Sequence, residues 1–441
     1  MKKSILPVLL FGFAARPAFA TDLRSLSLTE ALGELDAQSY VLAEAKSRVG
    51  QAQALIGQAS SPLLPQVVAA GGYARNSDEA KLGLGGLFQA LGQQPPAGIP
   101  GTLYIQPIGA WTVSALAKVP LVVPNAWADR TAAQRAVEAA TASLHVVRLT
   151  LRAALVQAAW AAAAAEDIVT ASQRAVGIAE EHRQTTARMV AAGEAAALSV
   201  LKADTEVVKR QSDLVRARAE LERARLAIGI LLGKATPVRV LPGSPPAGGV
   251  PTFSEGLVGE ALGQRPEVAA RAASIRAADA QALSARLRMV PQLSGSAAVF
   301  ASDMPYPTGK KDGWRLTIDA TWPIFDGGTR GSKRAEAEAE GEGARAAAET
   351  QRLAIAQEVA DAVRDLGVAS ERLRLAEQQA DFAAEAAASA KRTFAAGVTG
   401  AFEVLDANDR LYQADVALAD ARGRLGIAGA ALAKAVGRDF D

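Results

Sequence analysis

Two hydrophobic periodicities alternate along the chain, and each predicts its own kind of element. Apolar residues at helical spacing assign helix to 27–61, 126–190, 195–232, 255–288, 329–395 and 401–436. Tracts 125–236 and 324–441 contain no proline and are rich in Ala, Glu, Arg and Leu, all strong helix formers. Broken at Gly193 and Gly397, each tract gives one helix of about 65 residues and one of about 35–40, the longer spanning roughly 100 Å. Val200, Val207, Leu214, Leu221 and Ile228 form a heptad ladder, and Val404, Leu411, Leu418, Leu425 and Leu432 form another. Each ladder is closed by a glycine, Gly233 or Gly437. Ladders of this kind bury a seam against a neighbouring helix.

The second periodicity is two. In WRLTIDATW, 314–322, Trp314, Leu316, Ile318, Ala320 and Trp322 share one face, and Arg315, Thr317, Asp319 and Thr321 the other. A tryptophan at each end makes this a membrane β-strand with Trp314 and Trp322 in two interfacial girdles. WTVSALAKV, 111–119, repeats the pattern with Trp111, Val113, Ala115, Ala117 and Val119 outward and Leu116 as an apolar exception on the inner face. Nine residues at about 3.3 Å each reach roughly 30 Å, enough to cross an outer membrane when tilted. Strands are therefore expected at 110–123 and 313–325, paired as hairpins with weaker ones at 66–75 and 292–301. A half-exposed sheet in a soluble protein is the alternative reading.

Four strands cannot close a membrane barrel, and an open edge cannot face lipid. Three chains would supply twelve strands. The pattern thus predicts an α+β membrane protein whose strands close by oligomerisation into a β-barrel, twelve-stranded in a homotrimer, continued by a tube of long coiled-coil helices.

The elements also recur. VAAGEAAALSVLKAD, 190–204, matches FAAGVTGAFEVLDAN, 394–408, at an offset of 204, and LLPQV, 63–67, corresponds to MVPQL, 289–293. The chain is therefore one unit of roughly 200 residues written twice, over 21–232 and 255–437. A Pro- and Gly-rich linker, 233–254, joins the copies, a tail follows at 438–441, and the Gly-rich excursion 76–109 reads as a surface loop.

Composition then narrows the function. Lys2, Lys3, an apolar run and Ala18-Phe19-Ala20 read as a secretory signal peptide over 1–20. Its removal leaves 45 basic against 46 acidic residues, without the basic excess of a nucleic-acid binder. The absence of cysteine excludes a disulfide framework and a thiolate metal site. No other run reaches 18 apolar residues free of charge. His145 and His182 stand alone on helical stretches. GLGG, 83–86, lies in the expected surface loop with no helix expected after it, and LLGK, 231–234, lacks the first glycine and the Ser or Thr of a phosphate loop. No nucleophile elbow or HExxH occurs. Catalytic, cofactor and metal sites are therefore not expected, and a partner must supply energy for any transport.

The ordered motifs resemble the TolC family of outer-membrane efflux proteins, the outer membrane factors. The resemblance covers nearly all of the chain after the signal. It rests on WPIFDGG at 322–328, the LPQ and VPQ turns before strands, and GVTGAFEVLDAN at 397–408 with its twin GEAAALSVLKAD at 193–204. It implies a homotrimeric channel-tunnel in the outer membrane of a Gram-negative bacterium, with an α-helical periplasmic barrel. Implied partners are a periplasmic adaptor (membrane fusion protein), an inner-membrane transporter of RND, MFS or ABC type, and outer-membrane lipid. The implied role is the exit step of tripartite efflux or type I secretion, for drugs, metals or proteins. The resemblance also places Gly193, Gly397 and Gly400 at tip turns where adaptor hairpins dock, and Glu403, Asp406, Ser199, Lys202 and Thr399 around the periplasmic aperture. Two carboxylates from each of three chains would attract cations there. Acids in the first turn of a helix equally fit a capping role. The best-known members close the tip with a basic residue two positions past the glycine, paired to an acid. Here Thr399 and Ser199 occupy those positions, so Lys202, the twin of Asp406, becomes a candidate for pairing with a neighbouring hairpin. The alternative to a duct is a periplasmic coiled-coil scaffold or adaptor without a barrel.

Overall fold

A computed structural model describes residues 25–92, 102–243, 250–304, 306 and 310–440. The expected signal peptide lies outside these residues, as do parts of the 76–109 excursion, the 233–254 linker and the 302–312 loop. The chain forms two compact units, and each draws on both sequence repeats. One comprises Val41–Arg148 and Glu255–Glu358; the other runs to Tyr40 and includes Leu149–Ser254 and the chain from Val359.

The first unit is organised by an antiparallel sheet. Its strands are β2 (Gln66–Arg75), β5 (Gly109–Val122), β7 (Gln292–Ser302) and β8 (Asp312–Thr321), in the order β2-β5-β7-β8; β1 (Ser25–Ser27) lies in the other unit. The register aligns Ala69 with Ala115, Ala115 with Val299, and Val299 with Trp314. One face therefore carries Val67, Ala69, Gly71 and Tyr73 of β2, Trp111 to Leu121 of β5, Leu293 to Ala301 of β7, and Trp314, Leu316, Ile318 and Ala320 of β8, taking alternate residues. Every one is apolar apart from the hydroxyl of Tyr73 and the indole N–H groups. The opposite face carries Thr112, Ser114, Lys118, Gln292, Ser294, Ser296, Arg315, Thr317 and Asp319. Val67, Tyr73, Leu316 and Ile318 are exposed in the single chain. A continuous apolar sheet face open to the surroundings marks an interaction surface.

Helices α2 (Tyr40–Ser60), α6 (Glu255–Gln264) and α7 (Pro266–Leu287), with the starts of α4 (Pro124–Ala191) and α8 (Thr329–Ala395), complete this unit. The helix expected at 255–288 is divided at Arg265, held extended at ψ 128° because Pro266 excludes the helical conformation from the residue before it. The strand expected to reach 325 stops at Thr321, and Trp322 instead turns its indole N–H to the Met289 carbonyl at 3.1 Å. Pro323 has no N–H with which to continue a ladder. The 76–109 excursion is not wholly a loop: β3 (Ala80–Gly83) pairs with β4 (Thr102–Gln106), and α3 (Leu84–Ala90) lies between them. GLGG thus runs directly into a short helix rather than preceding none.

The second unit has a core of Leu32, Leu35, Leu155, Val156, Ile228, Leu232 and Val240. α1 (Leu28–Gln38) starts in a capping box in which Ser27 and Glu30 exchange hydrogen bonds. The helix expected over 27–61 breaks at Ser39, ψ 122°. No proline or glycine signals this break. It coincides with a close tertiary approach: a Cβ at Gly233 would stand 2.8 Å from the Gln38 carbonyl, so the chain just past α5 (Ala197–Leu231) packs directly onto the break. Val238 and Val240 bury into the core as β6 (Arg239–Leu241) pairs in parallel with β1 (Ser25–Ser27), giving part of the linker a structural role.

α4 contains an 18-residue window apolar enough to span a bilayer by length and composition. Counting uninterrupted apolar runs misses it. Its alanines serve packing instead: Ala153, Ala159 and Ala162 lie in the core. α9 (Ala401–Val436) completes the unit.

Candidate functional site

Both helical hairpins turn on a left-handed glycine. Gly193, φ 79°, donates its N–H to the Val190 carbonyl at 3.0 Å, while Glu194 N–H reaches Met189 at 2.9 Å. Gly397, φ 72°, repeats the arrangement with Phe394, as Val398 does with Thr393, each at 3.0 Å. Such caps satisfy the last carbonyls of a helix and reverse the chain, and L side chains disfavour the required φ. Gly400 acts differently, since at φ −79° and ψ 165° it is the N-cap of α9. The hairpin ends lie side by side, since Lys391 pairs with Glu181 at 2.7 Å and the Phe394 ring sits 5.4 Å from His182.

The acids named from sequence are both engaged within their own helix. Glu403, third residue of α9, folds its carboxylate over Gly400, 3.0 Å from where a Cβ would stand. Asp406 pairs with Arg410 one turn on at 2.9 Å, and both side chains remain well exposed. Thr399 shares a hydroxyl contact of 2.9 Å with Thr393. Ser199 is half-buried, its N–H donating to Ala196 at 2.9 Å. Lys202 is exposed and forms no ion pair among the described residues.

The main charge cluster joining the hairpins lies about two turns further along α5. Arg210, with only 3% of its surface exposed, bonds to Asp409 of α9, to Glu206 at 2.7 Å and to Asp213 at 3.4 Å, and stacks 4.6 Å from the Tyr412 ring. Lys209 adds a contact to Asp409 at 2.9 Å, and the Tyr412 hydroxyl lies 3.2 Å from Ser172 of α4. Burial disfavours the Asp409 carboxylate, but hydrogen bonds from Lys209 and Arg210 outweigh it and hold its pKa below the usual range. Burial lowers the pKa of His182, against an opposing pull from Glu206. The cluster was missed in the sequence, although Ala203, Val207, Arg210 and Leu214 follow the heptad spacing that places Arg210 in the seam.

The tryptophans expected in the girdles, Trp111, Trp314 and Trp322, belong to the sheet unit, and all are exposed. Trp111 lies opposite Tyr73 on the apolar face, Trp314 opposite Val299 on that same face, and Trp322 just beyond β8.

A sheet with one lipid-compatible face and one polar face, in a chain of long paired helices, defines the class: an outer-membrane channel protein with an α+β channel-tunnel fold in two repeats. The chain belongs to the outer membrane efflux protein family, whose profile matches residues 31–234 and 257–438. Its fold is similar to that of the outer-membrane channel OprN (TM-score 0.75, 24% identity, 93% of this chain and 90% of that one). Similar also are VceC of Vibrio cholerae (0.75, 20%, 94% and 97%) and the open state of the Neisseria gonorrhoeae MtrE channel (0.73, 20%, 93% and 89%). No curated protein sequence matches the chain. The protein is thus placed in the outer membrane with a periplasmic helical part, among channels rather than enzymes.

Proposed function

We propose that three copies of the chain form the exit duct of a tripartite efflux or type I secretion assembly, energised by an inner-membrane pump. The sheet carries this reading. It presents an apolar face to lipid and a polar face to a lumen, and its outer strands β2 and β8 have no further partner in the sheet. Backbone groups at such edges cannot be left unpaired in hydrocarbon, so β8 of one copy pairs with β2 of the next until the ring closes. The contact is heterologous, and four strands from each of three chains make twelve.

The helices support the same assembly. α5 exposes Leu201, Val208 and Val215, and α8 exposes Val368, Leu375 and Phe382, each at seven-residue spacing. Exposed heptad stripes of this kind seek a partner helix. In the proposed trimer the Gly193 and Gly397 turns, with Gly400, stand at the periplasmic tip and receive the adaptor, while Glu403 and Asp406 face the aperture beside Ser199, Lys202 and Thr399. Trp111, Trp314 and Trp322 sit at the membrane interfaces.

Purified protein reconstituted in planar bilayers tests the duct. The expected result is a heat-modifiable trimer that conducts ions; a detergent-independent soluble protein without conductance would support the scaffold reading instead.

A further inference from the structure

The polar face of the sheet is interrupted at one place. Val68, Leu116, Ala298 and Arg315 lie in register across the four strands, and the neighbouring row is Ala70, Ser114, Phe300 and Gly313. The apolar exceptions Val68 and Leu116 thus share the row that ends in Arg315, and Phe300, on the adjacent strand, lies beside Arg315 itself, on a face otherwise richest in Ser, Thr and Gln. The local packing is specific. The Arg315 guanidinium lies 5.9 Å from the Phe300 ring centre, and Tyr306 meets the same ring edge-on at 5.0 Å. Gly313 leaves the room: a Cβ there would stand 2.8 Å from the Phe300 ring. Arg315 is exposed and forms no ion pair among the described residues. An unpaired guanidinium beside an aromatic and aliphatic strip offers one charge and one apolar surface together.

We infer that this strip is a contact site for amphipathic organic anions, molecules with an apolar or aromatic body and a single negative group, as they pass through the barrel. The inference rests on the duct reading, in which the polar face lines the lumen and threefold symmetry repeats the strip around it. Arg315 takes the anionic group, while Phe300 and Leu116 take the apolar body. The carboxylate of Asp319, held by Thr317 Oγ1 at 3.1 Å, lies further along the same face and serves as an internal control.

The test uses full-length channels in planar bilayers, with 1-naphthalenesulfonate as probe and methanesulfonate as its ring-free counterpart. The naphthalene compound is expected to block conductance at lower concentration than methanesulfonate. Arg315→Gln should raise its half-blocking concentration about tenfold, in keeping with loss of one charge-assisted contact. Phe300→Ser should weaken block by the naphthalene compound while leaving the response to methanesulfonate unchanged, and Asp319→Asn should not weaken either. Conducting channels in which Arg315→Gln leaves the block unaltered overturn the site, as does equal block by the two probes. A protein that forms no channel overturns the duct itself, a separate result.

Discussion

α5 and α9 are the same helix written twice, and they solve the same packing problem differently at one position. Both carry large aliphatic residues every seventh position, from Val200 to Ile228 and from Val404 to Leu432. Between them runs a second series. On α9 it is Ala407, Ala414, Ala421, Ala428 and Ala435, with the last four buried. On α5 it is Ala203, Arg210, Ala217 and Ala224. An alanine series brings helix backbones close with little side-chain entropy to lose. Arg210 interrupts that series with a long cation, satisfied by Glu206, Asp213 and Asp409. Glu206 and Asp213 lie on α5 itself, so the register is fixed by Asp409 of α9 alone, the one partner that exists at a single alignment. The duplicated helix thus keeps an unspecific close-packed seam in one copy and a register-specific one in the other.

The largest effect should come from forcing the difference into the wrong copy. Ala414 has no exposed surface, and Ala414→Arg would bury a guanidinium with no carboxylates arranged to receive it. The expected cost is about 4 kcal/mol. It would be read as a large drop in the midpoint of thermal unfolding. Arg210→Ala should cost less, about 2–3 kcal/mol, since it strands carboxylates that water can partly reach. Arg210→Met, which keeps the side-chain bulk, should recover part of that loss. A methionine variant as unstable as the alanine one would show that charge, not volume, dominates the site.

α9 differs from α5 in a second respect, its approach to α4. A Cβ on Gly426 would stand 2.0 Å from the Trp160 ring, and one on Gly423 would stand 2.5 Å from the Ala164 Cβ. The equivalent α5 positions are Ala219 and Glu222. Gly426→Ala should therefore cost about 2 kcal/mol through overpacking, despite its better helix propensity. Glu222→Ala on α5 is exposed and should change the same melting curve little.

The fold was legible in the sequence wherever a pattern was sustained. The heptads of the long helices, the strict alternation of 314–322 and the duplication identify an α+β channel-tunnel, because those signals repeat over many residues. The legibility fails where a single contact decides. Nothing local distinguishes Ser39 from its neighbours, yet the helix breaks there, where Gly233 approaches the Gln38 carbonyl. β6 consists of three residues whose valine reads as linker until β1 pairs with it. Pro266 did signal the division at Arg265, but the helical pattern on both sides outweighed it. At the hairpin ends, the turning glycines were visible because φ is a property of one residue. Arg210 was not, because its importance depends on Asp409, which the packing brings near; the Asp406–Arg410 pair, four residues apart on one helix, could be read from spacing alone.

The two seams should also respond differently to acid. Asp409 and Glu166 both have depressed pKa values: burial opposes ionisation in each, and hydrogen bonds from Lys209 and Arg210, or from Arg239 and Arg225, prevail. A depressed carboxylate contributes stability that is complete above its unfolded pKa, about 4, and is lost as pH falls through its lower folded value. The α5 seam around Arg210 should therefore show weaker backbone hydrogen-exchange protection, measured against the intrinsic rate at each pH, near pH 3 than near pH 7. The alanine series of α9 beyond Ala414 is flanked by single ion pairs, Asp415 with Arg174 and Asp420 with Arg424, and should lose less protection. Equal losses in both would mean that acid acts on the whole unit rather than on the Arg210 cluster.

The smallest effect should be found at Glu403 and Asp406, the acids most conspicuous in the sequence. Their α5 twins are Ser199 and Lys202, so the two hairpin ends carry opposite charge character. In the proposed aperture, Glu403→Gln with Asp406→Asn should lower cation preference in a reversal-potential measurement. The shift should be modest, because Arg410 already offsets Asp406 and the exposed pair is screened by salt. Arg410→Gln should move selectivity in the opposite direction by freeing Asp406. If neither variant changes selectivity while the double amide lowers the stability of α9, the two carboxylates act at the start of their helix and not on the ions that pass it.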